Sequence, residues 1–293
     1  MLKVGFLGPE GTFSEEASLL YSKKLKGVEL IPYSTHYDLL VAVDRGKIDE
    51  GVTPIENSIE GTVGIVTDML VKDVDLKIKR EMVLPIYHYL LAKKGVKLTD
   101  ITDVVSHPQP IDQCKAFLRK KLPHASIHLS FSTADAVKRI ATSNELELSK
   151  LVNLKGERRP KHAFAAIGTK AAAKLYGLNV LASKINDYSD NLTRFVVVAK
   201  TDHKPTDDDK TSIVFSIAKD KPGGLYDILG EFANRGINLT KIESRPSKRA
   251  LGDYFFFIDL QGHRLSGPVA ESLARVKMKS AFFKLLGSYP RAK

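Results

Sequence analysis

Through the first 200 residues, short apolar runs alternate with stretches of helical periodicity. Lys3 to Leu7 reads as a strand, followed by the glycine-rich turn Gly8 to Glu15 (GPEGTFSE) and a helix from about Glu15 to Lys24. Val28 to Pro32 and Gly51 to Ile55 read as strands, separated by an amphipathic helix from about Tyr37 to Asp44 that Gly46 stops. A helix from about Thr62 to Leu70 follows, with Ser58 as a candidate for helping it start. This alternation predicts parallel strands covered by helices. The apolar region Leu76 to Ala92 then leads into a second round of the same pattern. Val104 and Val105 precede a helix ending near Pro123, and Ile127 to Leu129 precede a helix opened by Ser132 with Asp135 three residues on. Phe164 to Ile167 precede a helix from Thr169 to Tyr176 closed by Gly177, and Val180 to Ala182 read as a last short strand.

Two similar α/β units joined by crossovers predict two lobes with a cleft between them: lobe one about 1–80 and 186–200, lobe two about 81–185. The polar, partly basic stretch Asn144 to His162 reads as a surface excursion of the second lobe. Thr201 to Lys210 (TDHKPTDDDK) has the composition of a linker. Beyond it, strand Ser212 to Ala218, helix Gly223 to Asn234, strands Leu239 to Arg245 and Tyr254 to Leu260, helix Pro268 to Lys279 and strand Phe282 to Leu286 spell βαββαβ. The expected division is therefore 1–200, a linker 201–210, and an α+β ferredoxin-like domain 211–293.

A chain of 293 residues is long enough for two such bodies. Its longest apolar stretch, Met82 to Ala92, contains Pro85 and His88 and falls well short of the roughly 20 residues that span a bilayer. The first residues lack a secretory pattern, and the lone Cys114 cannot form an internal disulfide, so the cytoplasm is the expected location. The net charge of +11 is spread along the chain with no block of one sign and no interleaved aromatics, which argues against nucleic-acid binding. A diffuse positive field suits the collection of a small anion instead.

Candidate chemistry gathers at strand ends. Asp187 to Lys200 (DYSDNLTRFVVVAK) carries turn-forming residues into a buried strand, Phe195 to Ala199, whose mouth holds Thr193 and Arg194. A hydroxyl beside a guanidinium at a rigid strand mouth suits acid assistance next to an anion, although a loop entering a core strand with an incidental arginine fits the spacing equally. Pro54 to Gly61 (PIENSIEG) places Glu56, Asn57 and Ser58 at the carboxyl end of a strand, where open parallel sheets bind ligands. The glycine-rich turn lacks both the Walker A ending and the dinucleotide spacing, and could serve an anion or simply make a tight connection. His107 stands alone before Pro108, and no cluster has metal-site spacing.

These stretches together resemble the prephenate dehydratase family over nearly the whole chain. The motifs are GPEGTFS (Gly8 to Ser14), PIENS (Pro54 to Ser58), SHPQ (Ser106 to Gln109) with Gln113 and Cys114, and Thr193-Arg194-Phe195, followed by GGLY (Gly223 to Tyr226) and ESRP (Glu243 to Pro246) of an ACT-like regulatory domain. The resemblance implies a two-lobed catalytic region like type II periplasmic binding proteins, converting prephenate to phenylpyruvate without metal or other cofactor. It implies catalytic roles for Thr193, Glu56 and Asn57, and substrate contacts from Arg194, Phe195, Ser58, Thr12, Gln113 and Ser106. Thr193 would be the proton donor and Arg194 the carboxylate anchor. It implies L-phenylalanine as effector at Gly223, Gly224, Leu225, Glu243, Ser244, Arg245 and Pro246, in a homodimer or homotetramer, with neither nucleic acid nor membrane as partner. Two features depart from the family pattern: Gly224 replaces the usual alanine, and Asn144 to His162 is longer than usual. The chain starts directly at the dehydratase region, with no chorismate mutase stretch ahead. A related dehydratase acting on arogenate, or a non-catalytic solute sensor of the same fold, would share the pattern.

Overall fold

The computed structural model describes every residue except Lys24, 145–146, 149–161, 218–221, 249–251 and Lys293. The surface excursion expected at Asn144 to His162 therefore lies largely outside the described residues, as does the expected strand end at Ala218. The described strands form three sheets.

The first sheet has the order β2-β1-β3-β11-β5, from β1 (Leu2–Leu7), β2 (Val28–Tyr33), β3 (Glu50–Asn57), β5 (Lys77–Pro85) and β11 (Leu192–Ala199), with β4 (Gly61–Thr62) attached to β3. β1, β2 and β3 are parallel, as the alternation with helices predicts. β11 runs antiparallel to both β3 and β5, because the chain re-enters this lobe from the second one. That reversal sets the start of β11 against the end of β3, pairing Thr193 with Asn57. Helix α1 (Phe13–Ser22) covers one face, where Ala17 and Tyr21 pack with Val4, Val52, Phe195 and Val197. Helices α2 (His36–Asp44) and α3 (Gly64–Lys72) pack on the other, with Val196 and Val198. Ser58 does not start α3: its hydroxyl donates to Asp190 O and accepts the amide of Leu192, and β4 intervenes before the helix.

The second sheet has the order β10-β6-β9-β7-β8, from β6 (Tyr89–Ala92), β7 (Asp103–Ser106), β8 (Ser126–Leu129), β9 (Phe164–Gly168) and β10 (Asn179–Ala182). The single helix expected before Pro123 is two short ones, α4 (Pro108–Asp112) and α5 (Lys115–Lys121). A distant segment causes the break: the carbonyl of Gln113 accepts the amide of Asp187, and the Asp187 carboxylate takes the amide of Ala116. Helices α6 (Thr133–Thr142) and α7 (Lys170–Leu175) start where the sequence signals them, capped by the hydroxyls of Ser132 and Thr169.

The third sheet, β13-β14-β12-β15, is wholly antiparallel: β12 (Asp209–Ile217), β13 (Leu239–Pro246), β14 (Tyr254–Gln261) and β15 (Ser280–Pro290). With α8 (Gly224–Ala233) and α9 (Gly267–Lys279) it completes the βαββαβ, ferredoxin-like arrangement. The helices cover one face through Ile228, Phe232, Val269 and Val276. The other face packs on the first sheet, where Val214, Phe255, Phe257, Leu286 and Tyr289 join the same core as Ile78, Val196 and Val198. At Gly287 β15 passes so close to Ile78 of β5 that a Cβ would strike its backbone. The segment with the composition of a linker is tied down along its length. Asp202 binds Arg264 and the amide of Ser288, the amide of His203 donates to Ser288 O, and β12 already begins at the buried Asp209.

Candidate active site

A cavity of about 470 Å³ opens between the first and second sheets. The helix starts of both lobes form much of its wall, contributing Thr12, Phe13 and Ser14 of α1 and Ser132, Thr133 and Ala134 of α6. Thr12 caps α1 by accepting the amide of Glu15, and Ser132 caps α6 by accepting that of Asp135. The earlier amides of each first turn have no acceptor within the helix, and they carry the positive end of its dipole. The lobes touch behind them, where the Thr169 hydroxyl donates 2.6 Å to the carbonyl of Gly11. Gly11, at φ 85°, lies against Ala172, so a side chain there would be both strained and obstructed.

One polar chain crosses the cavity floor, and its orientation can be followed atom by atom. The amides of Ile59 and Glu60 both donate to Asn57 Oδ1, which turns Asn57 Nδ2 towards Thr193 Oγ1 and Asn191 Oδ1, each at 2.8 Å. Asn191 Nδ2 then donates 2.8 Å to Gln113 Oε1, while Gln113 Nε2 donates to Glu60. His88 Nε2 lies 3.0 Å from Gln113 Oε1 and is therefore its protonated nitrogen. Asn57, His88, Gln113, Asn191 and Thr193 are all buried. Because Thr193 Oγ1 already accepts from Asn57, its own proton is free to point into the cavity. Among the described residues His88 Nδ1 is buried without a hydrogen-bond partner, and burial holds the imidazole below its ordinary pKa against the opposing bond to Gln113.

Of the residues expected at the substrate, Thr12, Asn57, Gln113, Thr193 and Phe195 line the cavity. Four do not. Ser58 ties β3 to the approach of β11. Ser106 is fully buried and donates 3.0 Å to Ile167 O inside the second sheet. Arg194 and Glu56 face the third sheet: Arg194 Nε bonds Glu81 at 2.7 Å, its Nη1 bonds Asp259 at 2.5 Å and its Nη2 bonds the Tyr289 hydroxyl at 2.7 Å, while Glu56 pairs with Lys241 at 3.0 Å. Arg194 faces that side by plain alternation with Thr193 along β11, whereas Glu56 does so through a register shift in the ladder. Arg194 pairs with Glu56 but Phe195 pairs with Pro54, leaving Ile55 bulged and reversing which side the next residues of β3 face. The carboxylate anchor expected of Arg194 is thus not at the cavity, and among the described residues no lysine or arginine lines it.

Residues missed in the sequence are His36 and His88, the turn residue Asn191, and Thr169. His107, which stands alone before Pro108 in the sequence, lines the wall and caps α4. For His88 a signal existed: an imidazole interrupts the otherwise strand-like run from Met82 to Ala92. Among the described residues no group of three or more His, Cys, Asp or Glu is placed to hold a metal.

The third sheet separates the expected effector residues. Gly223, at φ 82°, caps α8 and precedes Gly224 and Leu225 in its first turn. Glu243 and Arg245 point instead at the first lobe, where Glu243 accepts from Thr62 and Arg245 approaches Asp68 at 3.6 Å. Ser244 and Pro246 alternate onto the exposed side of β13.

A ligand cleft between two α/β lobes, floored by an oriented hydroxyl and backed by a ferredoxin-like sheet, defines a two-lobed enzyme with an appended regulatory fold. The family model described as prephenate dehydratase matches residues 4–203, and that of the ACT domain matches residues 211–277. The chain belongs to the prephenate dehydratase family. It is 41% identical over 298 residues to the bifunctional chorismate mutase/prephenate dehydratase of Aquifex aeolicus, covering 99% of this chain and 74% of the relative. It is 39% identical over 287 residues to the prephenate dehydratase of Methanocaldococcus jannaschii, covering 96% of each. The solved prephenate dehydratase of Arthrobacter aurescens in complex with L-Phe superimposes with a TM-score of 0.84 at 36% identity, covering 99% of this chain and 90% of that one.

Proposed function

We propose that Thr193 is the acid of the decarboxylating dehydration that this chain performs, prephenate to phenylpyruvate with loss of water and CO2. Aromatisation drives the reaction, so the protein has to fix the ring and help the hydroxyl leave as the carboxylate departs. The observation that carries the assignment is the oriented chain ending at Thr193: Asn57 occupies the acceptor side of the hydroxyl and leaves its proton for the substrate. A threonine is a weak acid, so the assistance is a hydrogen bond that strengthens as negative charge grows on the leaving oxygen. Such help is worth about 10² to 10⁴ in rate, roughly 3 to 5 kcal/mol.

With Arg194 turned away, the substrate's carboxylates are assigned to the first-turn amides of α1 and α6, which reach the cavity from opposite lobes. Phe195 and Phe13 give the ring an apolar bed. Assay of phenylpyruvate formation from prephenate tests the reaction, and the same assay on arogenate tests substrate choice. Binding of prephenate without turnover would instead identify a sensor.

L-phenylalanine is proposed as effector at the start of α8, where the first-turn amides have no acceptor within the helix; the relative solved with L-Phe supports the choice of ligand. Assembly as a homodimer or homotetramer, and a cytoplasmic location suited to the single buried thiol of Cys114, belong to the same reading.

A further inference from the structure

Across the first sheet from the cleft lies a buried ionic cluster that the reaction does not use. Arg194 occupies the peptide next to Thr193, and its guanidinium gathers groups from four strands: Glu56 of β3, Glu81 of β5, Asp259 of β14 and Tyr289 of β15. Two of these strands belong to the third sheet. Lys210 of β12 adds a second cation, 2.9 Å from Glu81, and Ser212 of the same strand bonds both Asp259 and Tyr289 at 2.5 Å. Lys241 of β13 holds Glu56. Every strand of the third sheet thus reaches this one cluster, which contacts the first sheet through Arg194 and Glu56, the chain neighbours of Thr193 and Asn57 on the cavity floor.

The pairing is reciprocal along the ladder. Thr193 faces Asn57 across β11 and β3 on the cavity side, and Arg194 faces Glu56 on the other side, one residue away. The bulge at Ile55 lies immediately beyond. A bulge is the place where a ladder can alter its local twist without breaking. A rigid fork held by two carboxylates and a phenol cannot follow a moving sheet without turning the peptide that carries it.

We infer that Arg194 is a positioning residue through which the third sheet sets the placement of Thr193, so that a change in that sheet's seating alters turnover at the cleft. This rests on the reading that the cleft is the dehydratase site and that phenylalanine binds the third sheet's domain. The sheet transmits by pulling Asp259 and Tyr289, which pull the guanidinium and with it the 193–194 peptide. Thr193 then moves relative to Asn57 while the helix starts that receive the carboxylates stay where they are. The signature is a change in kcat at unchanged KM.

Two variants outside the cleft test this: Asp259→Asn, which keeps the shape but removes the negative charge facing Arg194, and Tyr289→Phe, which removes only the hydroxyl and keeps the buried ring. For each, kcat and KM on prephenate, inhibition by phenylalanine, phenylalanine binding by calorimetry and the melting profile are measured on the full chain. The expected result is folded protein that still binds phenylalanine, with altered kcat, unchanged KM, and an inhibition midpoint raised about tenfold. Amide exchange at residues 192–195 should respond to phenylalanine in the parent and lose that response in the variants. If Asp259→Asn does not fold, Tyr289→Phe carries the test by itself. Parent-like kcat, inhibition and exchange in folded Tyr289→Phe overturn the inference while leaving the dehydratase reading intact. Absence of turnover in the parent removes that reading and this inference together.

Discussion

Thr193 and Arg194 are consecutive, yet the hydroxyl of Thr193 lies on the floor of the cleft and the guanidinium of Arg194 is locked among Glu81, Asp259 and Tyr289 on the opposite face of the sheet. Strand geometry alternates side chains between faces, so a hydroxyl and a cation side by side in sequence cannot share one pocket unless a bulge falls between them. The bulge here falls on the partner strand, at Ile55.

Replacing Thr193 by alanine removes one oxygen and leaves the amides of α1 and α6 in place. The expected outcome is a fall in kcat of about 10² to 10⁴ with KM little changed. Thr193→Ser, which restores a hydroxyl, should recover part of the rate. Steady-state kinetics on prephenate decide the matter; near-normal kcat in the alanine variant removes the acid role.

Asn57→Asp tests the direction of the hydrogen-bond chain. A carboxylate cannot donate to Thr193, so the threonine proton would turn to the new acceptor and away from the substrate. The backbone amides of Ile59 and Glu60 still bind the aspartate, which preserves the turn. The expected variant is folded and nearly inactive, and retained activity would show that the chain does not aim the proton.

Arg194→Met should act on stability first. Arg194, Glu81 and Asp259 are all shielded from solvent, and removing the cation leaves Asp259 without an ion-pair partner among the described residues and Glu81 with Lys210 alone, a loss of roughly 3–5 kcal/mol. Denaturant unfolding measures it. Substrate affinity in whatever folds should be unchanged, because the guanidinium is not on the cavity wall; a large rise in KM alone would return Arg194 to the substrate.

Much of this was legible in the sequence. The lobes, the ferredoxin-like order and the helix starts at Ser132 and Thr169 follow from periodicity and capping residues that act locally. Thr193 and Asn57 were legible because both stand at strand ends. Arg194 is turned from the cleft by alternation with Thr193, which the strand pattern already carried, whereas the direction of Glu56 depends on one extra residue in a ladder between distant segments, and no local pattern announces that insertion. The break between α4 and α5 was hidden for the same reason, being made by Asp187 from more than 70 positions away. His88 was visible as an interruption, but its place on the cleft floor requires β5 and β6 to be in different sheets.

His88 gives a pH prediction with a definite sign. Burial lowers its pKa in the folded chain below the ordinary 6.5, so as pH falls the unfolded chain takes up the proton first. The stability that comes from keeping it neutral is complete above pH 6.5 and is lost progressively below, down to the folded-state value. Burial lowers the pKa of His36 as well, and it adds to the same trend. Melting temperature measured from pH 7 to pH 5 should fall less steeply in His88→Gln, which keeps a donor for Gln113, than in the parent. Equal slopes would mean that His88 is protonated as easily folded as unfolded.

The seat of phenylalanine control cannot be found by cutting the chain after Asp202. That cut removes Val214, Phe255, Phe257, Leu286 and Tyr289 from a core shared with Ile78, Val196 and Val198. At about 1.5–3 kcal/mol for each buried side chain, the loss is on the order of 10 kcal/mol, comparable to the whole stability of an ordinary domain. The fragment is expected to aggregate. The test therefore belongs in the full chain at Gly223, whose φ of 82° disfavours any other residue, and at Gly224 beside it. Gly224 is helical, so Gly224→Ala adds a methyl group at the first turn without backbone strain and restores the residue usual in the family. Gly223→Val should weaken phenylalanine binding by distorting the turn that presents the amides, and should leave uninhibited turnover close to that of the parent. Linkage adds a check that kinetics alone cannot supply: if phenylalanine weakens prephenate binding by some factor, prephenate must weaken phenylalanine binding by the same factor. Calorimetric titration of phenylalanine with and without a non-reacting substrate analogue measures that factor directly. Unaltered phenylalanine binding by folded Gly223→Val would move the effector away from the start of α8.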